Sequence, residues 1–183
     1  PYELDNLNIT YNNNIFLIIK CPHKHTIIYK LKTKYKKNIN LIIKNKIIKT
    51  NVNKYPKLNN LIIFSTIVKN ENKYIKQWID FHYNLGVNKF IIYDNSNNNS
   101  LIKLLNNYII NKKVILIKWI YPYRLKKSGI SGQTTQQNHS LYTWKNSKYI
   151  GFFDIDEYVN IQNGNNLNIF LNKYISNNNL NIK

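Results

Sequence analysis

"LIIFSTIV" at positions 61–68 is a continuous apolar run of the length and character that a strand buried on both faces requires. It marks the start of a parallel sheet, and the sequence after it alternates as such a sheet demands. Tyr74, Ile75, Trp78, Ile79, His82 and Leu85 recur at helical spacing, with Asn70 placed as N-cap and Gly86 just past the end. "KFIIYD" at 89–94 is the next strand. The turn-rich "NSNNNS" then leads to a helix predicted over 101–110, with Ser100 as its cap.

"VILIKW" at 114–119 gives a third strand, and the polar, basic segment 122–132 reads as a loop. A helix over about 133–146 follows. "YIGFFDIDEYV" at 149–159 is a fourth strand that ends in acids, and Leu167, Phe170, Leu171 and Tyr174 mark a last amphipathic helix. Strand and helix alternate throughout 57–183, so the fold class is α/β with a mostly parallel sheet. Residues 1–56 differ: "IFLIIK" at 15–20, "TIIYKL" at 26–31 and "INLIIKNKII" at 39–48 are short apolar runs among Lys and Asn, expected to form a small β-rich segment.

A net charge of +19 over 183 residues would ordinarily direct attention to nucleic acid or an anionic surface. Here all but one of the 27 basic residues are Lys, there is no Ala, and Asn and Ile are over-used, the pattern an AT-rich coding sequence produces. The lysines are scattered, and Arg124 is the single guanidinium available for bidentate readout. A nucleic-acid role is therefore disfavoured. One cysteine, Cys21, excludes an intrachain disulfide. No run approaches the roughly 18 to 20 apolar residues that span a bilayer, so the sequence reads as soluble, with the cytoplasm favoured. It contains no Met, even at position 1, and is read as a piece of a longer protein.

In an open α/β sheet the ligand binds beyond the carboxyl ends of the strands, and the informative polar residues fall there. The first strand runs into Lys69, Asn70 and Glu71, the second delivers Asp94 and Asn95, and the fourth delivers Asp154, Asp156 and Glu157. Three acids within four residues repel one another unless a cation compensates, and Mg²⁺ or Mn²⁺ is the natural partner. Such ions take one or two protein carboxylates and share the rest of their coordination with substrate phosphates. Read by spacing alone, the three acids equally well end a strand and cap the next turn.

"IVKNENKYIKQWIDFHYNLGVNKFIIYDNSNNNS", then "GQTTQQNHSLY", then "YIGFFDIDEYV" together resemble glycosyltransferase family 92 and related family 2-like enzymes. The resemblance covers about 61–174. It implies a GT-A fold (a Rossmann-like nucleotide-binding domain), a nucleotide-sugar donor, UDP-linked in the first instance, and a DxD metal motif at Asp154-Ile155-Asp156. In such enzymes the second Asp coordinates the metal, and the first reaches the ribose, or the metal through water. Lys69, Asn70 and Glu71 match the family's "KNE", Asp94 matches its acid near the nucleoside, and Gln133, Asn138 and His139 match its "Q…NH" segment facing the donor. Mn²⁺ or Mg²⁺ is the implied cofactor, and a glycan or protein hydroxyl is the implied acceptor.

Plainer roles stand beside these. Asn70 serves as a helix cap, His82 as a core histidine, and Trp78, Trp119 and Trp144 as packing residues. Arg124, Lys126 and Lys127 are placed to neutralise leaving-group charge. Cys21, His23 and His25 alternate as zinc ligands on one strand face would, but a fourth ligand is lacking. In the resembled family the acceptor region and a general base follow the DxD strand, so those parts are expected outside these 183 residues. A GT-A-like domain that binds a nucleotide sugar or a partner without turnover is the alternative, and a basic nucleic-acid binder the third.

Overall fold

The computed structural model describes residues 9–11, 14–15, 17–20, 27–30, 38–43, 46–51, 53–124, 131–161 and 166–178. It divides into two compact units, Pro1–Pro56 and Lys57–Lys183.

In the first unit, β1 (Ile9–Tyr11), β2 (Asn14–Ile15), β5 (Asn38–Ile43) and β6 (Lys46–Asn51) form an antiparallel sheet in the order β2-β1-β5-β6. A separate antiparallel pair joins β3 (Leu17–Lys20) to β4 (Ile27–Lys30). The run 39–48 folds back on itself, with Leu41 facing Ile48 and Ile42 facing Ile47. Cys21, His23 and His25, the zinc candidates, lie outside the described residues, as do Lys126 and Lys127.

The described residues of the second unit hold four strands, β7 (Ile62–Val68), β8 (Lys89–Asp94), β9 (Val114–Lys118) and β10 (Tyr149–Phe152), all parallel, in the order β10-β7-β8-β9. Five helices accompany them: α1 (Ile75–Asn84), α2 (Ser100–Leu104), α3 (Asn106–Ile110), α4 (Ser131–Thr143) and α5 (Leu167–Asn178). This is the α/β fold with a parallel sheet that strand and helix alternation implied. Ile62, Ile63, Phe64, Ser65 and Thr66 of β7 are all buried, because β7 is central and covered on both faces. From β7 the chain steps outward to β8 and β9, then returns to lay β10 on the other side of β7. That reversal makes the carboxyl ends of β7 and β10 a topological switch point, where an open α/β sheet has its crevice.

α1 buries Ile75, Trp78, Ile79 and His82, the i, i+3, i+4, i+7 stripe of an amphipathic helix. Each large apolar side chain so buried stabilises the fold by roughly 1.5–3 kcal/mol. The helix ends at Gly86, whose φ of +109° only a glycine adopts without strain. Its start differs from expectation. Asn70 is not the cap; it adopts φ +59°, a left-handed turn that asparagine tolerates, and its N–H donates to Ser96 Oγ at 2.8 Å. Tyr74 takes the N-cap position with no side-chain capping bond, and nearly half of it is exposed instead of packed in the stripe.

The helix predicted over 101–110 is broken at Leu105 into α2 and α3. Ser100 is the first helical residue and not the cap. Asn98 Oδ1 accepts from its N–H at 3.0 Å and its hydroxyl at 2.6 Å, the local side-chain bond by which asparagine begins a helix. α4 begins two residues before the predicted 133 and ends three before 146. On α5, Leu167 is buried and Phe170 and Leu171 half-buried, while Tyr174 is exposed. No described helix is long and apolar enough to cross a membrane.

Candidate nucleotide-binding cleft

A cleft of about 760 Å³ opens at the switch point, within the range of small-molecule sites. β7 contributes Ile67 and Val68, with Lys69 and Glu71 directly beyond it; α1 contributes Tyr74 and Gln77; β8 delivers Asn95; the turn after β10 delivers Asp154, Ile155, Asp156 and Tyr158, and Tyr123 closes one side. The sheet order, not proximity in sequence, brings Lys69 and Asp154 to one wall, since Phe152 pairs with Ser65 in adjacent parallel strands.

The acidic turn is tightly built. Glu157 N–H donates to Asp154 O at 3.0 Å, and Asp154 N–H donates back to Glu157 Oε2 at 2.9 Å. Gln133 Nε2 on α4 approaches Asp154 Oδ1 at 3.4 Å. Burial, then the charges of Glu157 and Asp156, raise the Asp154 carboxyl above its ordinary value. Asp154 and Asp156 make no ion pair with any described lysine or arginine. The one ion pair found among the described side chains joins Lys118 to Asp94, 3.0 Å apart. The turn thus gathers negative charge that no ion pair among the described residues neutralises.

Two anchors on α1 hold that turn in place. Trp78 Nε1–H donates to Glu157 O at 3.0 Å. His82 donates from Nδ1 to Trp78 O at 2.9 Å and accepts the Val159 N–H on Nε2 at 3.2 Å. These bonds require the neutral ring protonated on Nδ1, and desolvation lowers the His82 pKa accordingly, against an upward pull from the Trp78 carbonyl. His82, read as a core histidine, is fully buried and supports the acidic turn from beneath, stacked between Phe153 and Tyr158.

Of the residues matched by resemblance, Lys69, Glu71, Asp154 and Asp156 meet around the cleft. Gln133 and Asp154 also line a smaller polar cavity of about 170 Å³ with Ser65, Thr66 and Glu157. Asn70 turns to Ser96, as described above. Asp94 is buried, its Oδ2 held by Lys118 Nζ and its Oδ1 accepting the Ser96 N–H at 2.9 Å. His139 Nδ1 lies 2.7 Å from Tyr93 Oη, among the rings of Trp119 and Trp144. Asn138 is buried on α4 with its Nδ2 unpaired. None of these last four lines the main cleft. Tyr74, Gln77, Asn95, Tyr123 and Tyr158 do line it and carried no signal of their own in the sequence, apart from Asn95 standing at a strand end.

Among the described residues no group of three or more His, Cys, Asp or Glu side chains is arranged to hold a metal ion. Asp154 and Asp156 offer a hard cation the one or two carboxylates it takes when substrate phosphates complete its shell. The uncompensated charge of the turn and the raised Asp154 carboxyl fit such an ion.

The parallel β10-β7-β8-β9 sheet with its accompanying helices is an α/β fold consistent with a GT-A-like domain. The chain belongs to glycosyltransferase family 92, whose sequence profile matches residues 62–183. Its relatives include a family 92 protein of Ricinus communis, 24% identical over 102 residues, covering 56% of this chain and 17% of that one. A family 92 protein of Oryza sativa subsp. japonica is 23% identical over 110 residues, covering 60% of this chain and 18% of the other. One from Arabidopsis thaliana is 27% identical over 96 residues, covering 51% and 15%. The chain thus spans less than a fifth of the length of these curated relatives. No solved structure matches it.

Proposed function

We propose that this domain holds the nucleotide-sugar donor, UDP-linked in the first instance, of a metal-dependent glycosyltransferase that passes the sugar to a hydroxyl acceptor. The observation that carries the reading is the pair Asp154 and Asp156, set at the switch point of the sheet, lining the cleft and without a cationic partner among the described residues.

In this reading Asp156 would hold Mn²⁺ or Mg²⁺, and Asp154 would bind the ion or the ribose. When bound, the ion supplies Lewis-acid stabilisation of the departing nucleoside diphosphate. Lys69, at the same wall and in no ion pair among the described residues, adds positive charge toward the phosphates. Glu157 closes the turn through the Asp154 N–H, and Trp78 and His82 fix its far side, so the carboxylates are held in place before the donor arrives. The acceptor hydroxyl would bond to the anomeric carbon as the bond from that carbon to the nucleoside diphosphate breaks. Binding of a nucleotide sugar or a partner without turnover is the second reading.

An assay of the purified chain with radiolabelled UDP-sugars, with Mn²⁺ and a broad panel of hydroxyl acceptors, tests it. Metal-dependent release or transfer of sugar supports catalysis. Nucleotide binding with no release or transfer, repeated on a chain extended at its carboxyl end, supports the second reading.

A further inference from the structure

We infer that the groove between α1 and α3 binds a phosphate-class oxyanion, carried on a small molecule or on a lipid headgroup, at a site separate from the donor cleft. No residue lining this groove also lines the cleft, so the site stands or falls independently of the nucleotide-sugar reading.

The groove has a volume of about 300 Å³, at the lower end of small-molecule sites. Lys76 of α1, Asn107 and Asn111 of α3 and Lys113 at the entry to β9 supply its polar groups, and Leu104 and Tyr108 complete the lining. Asn107 and Asn111 stand one helical turn apart on α3, so they share one face of it. Neither lysine is in an ion pair among the described residues. Lys113 is half-buried, and its Nζ lies 3.5 Å from the centroid of the Tyr83 ring, a cation–π contact that holds the ammonium at the groove.

Further positive charge gathers beside it. Lys89 Nζ donates to the Lys112 carbonyl, and burial, then the charge of Lys112, lowers the Lys89 pKa. Asp80, one helical turn along α1 from Lys76, is no counterweight inside the groove. It is not among the lining residues, and both its oxygens lie 2.9 Å from the Tyr108 hydroxyl. Burial, then the Asp80 hydrogen bond and charge, push the Tyr108 pKa up to about 12, so that hydroxyl stays a neutral donor to Asp80. Ammonium and amide N–H groups on α1, α3 and the entry to β9 thus await acceptor oxygens. An anion with three or four oxygens meets more of these donors at once than a planar carboxylate does, and charge-assisted bonds to it are the strong kind.

The test is titration of the full chain, free of nucleotide and divalent metal, with inorganic phosphate at constant ionic strength, read by calorimetry and by the thermal midpoint against sodium chloride. The groove pair Lys76→Gln with Lys113→Gln is compared with Lys57→Gln with Lys145→Gln, which removes the same charge from exposed lysines outside the groove. Phosphate should raise the midpoint of the parent above that in chloride, as a ligand of the folded state does. Its affinity should fall at least about fivefold in the groove pair, the worth of two partly exposed charge contacts, and stay close to the parent value in the control pair. Vesicles of phosphatidic acid in phosphatidylcholine separate the two sources. Vesicle binding that needs the same two lysines and is competed by inorganic phosphate supports a lipid headgroup, while phosphate binding at the groove with no such vesicle binding supports a soluble phosphate ester. A parent midpoint no higher in phosphate than in chloride overturns the inference without recourse to any variant. Phosphate affinity that falls equally in both pairs, or in neither, overturns it as well, and the reading of Asp154 and Asp156 is untouched.

Discussion

Val159 and His82, 77 positions apart in sequence, are joined by a hydrogen bond from the Val159 N–H to His82 Nε2 at 3.2 Å. With the Trp78 bond to Glu157 O, it couples the buried face of α1 to the turn that carries Asp154 and Asp156. A residue buried in the core thereby has a consequence at the site.

His82→Leu should remove that coupling, leaving the Val159 N–H unpaired at a cost of about 1–3 kcal/mol. Urea unfolding measures the loss. An unchanged midpoint would show that the bond contributes nothing.

The same ring predicts an acid-side loss of stability. His82 and His139 both titrate below 6.5 in the folded state because they are desolvated, so the unfolded chain takes up protons first as the pH falls. Their contribution is complete above 6.5 and declines below it, by up to about 1.4 kcal/mol per pH unit for each group, until the folded rings protonate. Urea midpoints collected from neutral into mildly acidic buffer should show this slope, and His82→Leu should reduce it.

Glu157 holds the acidic turn through the Asp154 N–H. Glu157→Gln keeps an acceptor oxygen there, while Glu157→Ala removes it. The alanine variant should lose about 0.5–1.5 kcal/mol of stability and weaken Mn²⁺-dependent nucleotide binding, with glutamine closer to the parent. Equal effects of the two would assign Glu157 a charge role and not a positioning one.

Gly132, the second residue of α4, lies against the chain at Tyr123, where an added Cβ would be 2.6 Å from Tyr123 Cα and 2.9 Å from Pro122 O. These are backbone atoms with little freedom to move. Gly132→Ala should cost about 1–3 kcal/mol as an overpacking change and shift Tyr123 in the cleft wall, lowering nucleotide affinity as well as the thermal midpoint.

The sheet was legible in the sequence because each strand is a nearly unbroken apolar run: 62–68, 89–94, 114–118 and 149–152 fall within the runs quoted for them. Helix starts were less legible. Asn70 and Ser100 both stand where a cap belongs, yet the tie between Asn70 and Ser96 and the reach of Asn98 depend on loops meeting in space. At the cleft, the place of Asp154 and Asp156 on the rim was legible because they follow a strand end, though by spacing alone the acids fitted closing the turn equally well, as Glu157 does. Tyr74 and Tyr123 were not, since a cleft-lining tyrosine and a packed one look alike until the strand order is known, whereas Asn95 was marked by standing at a strand end. Asp94 reads as a site residue in sequence, and its partner Lys118, one strand away, is what the sequence leaves out.

The central claim is that Asp154 and Asp156 bind a divalent ion together with a nucleotide diphosphate, and the most direct measurement is UDP affinity with and without Mn²⁺ for the parent chain and for Asp156→Ala. The account predicts that Mn²⁺ strengthens UDP binding at least about tenfold in the parent, roughly 1.4 kcal/mol, and has no effect in the variant. UDP binding indifferent to Mn²⁺, or a Mn²⁺ effect that survives Asp156→Ala, would contradict it.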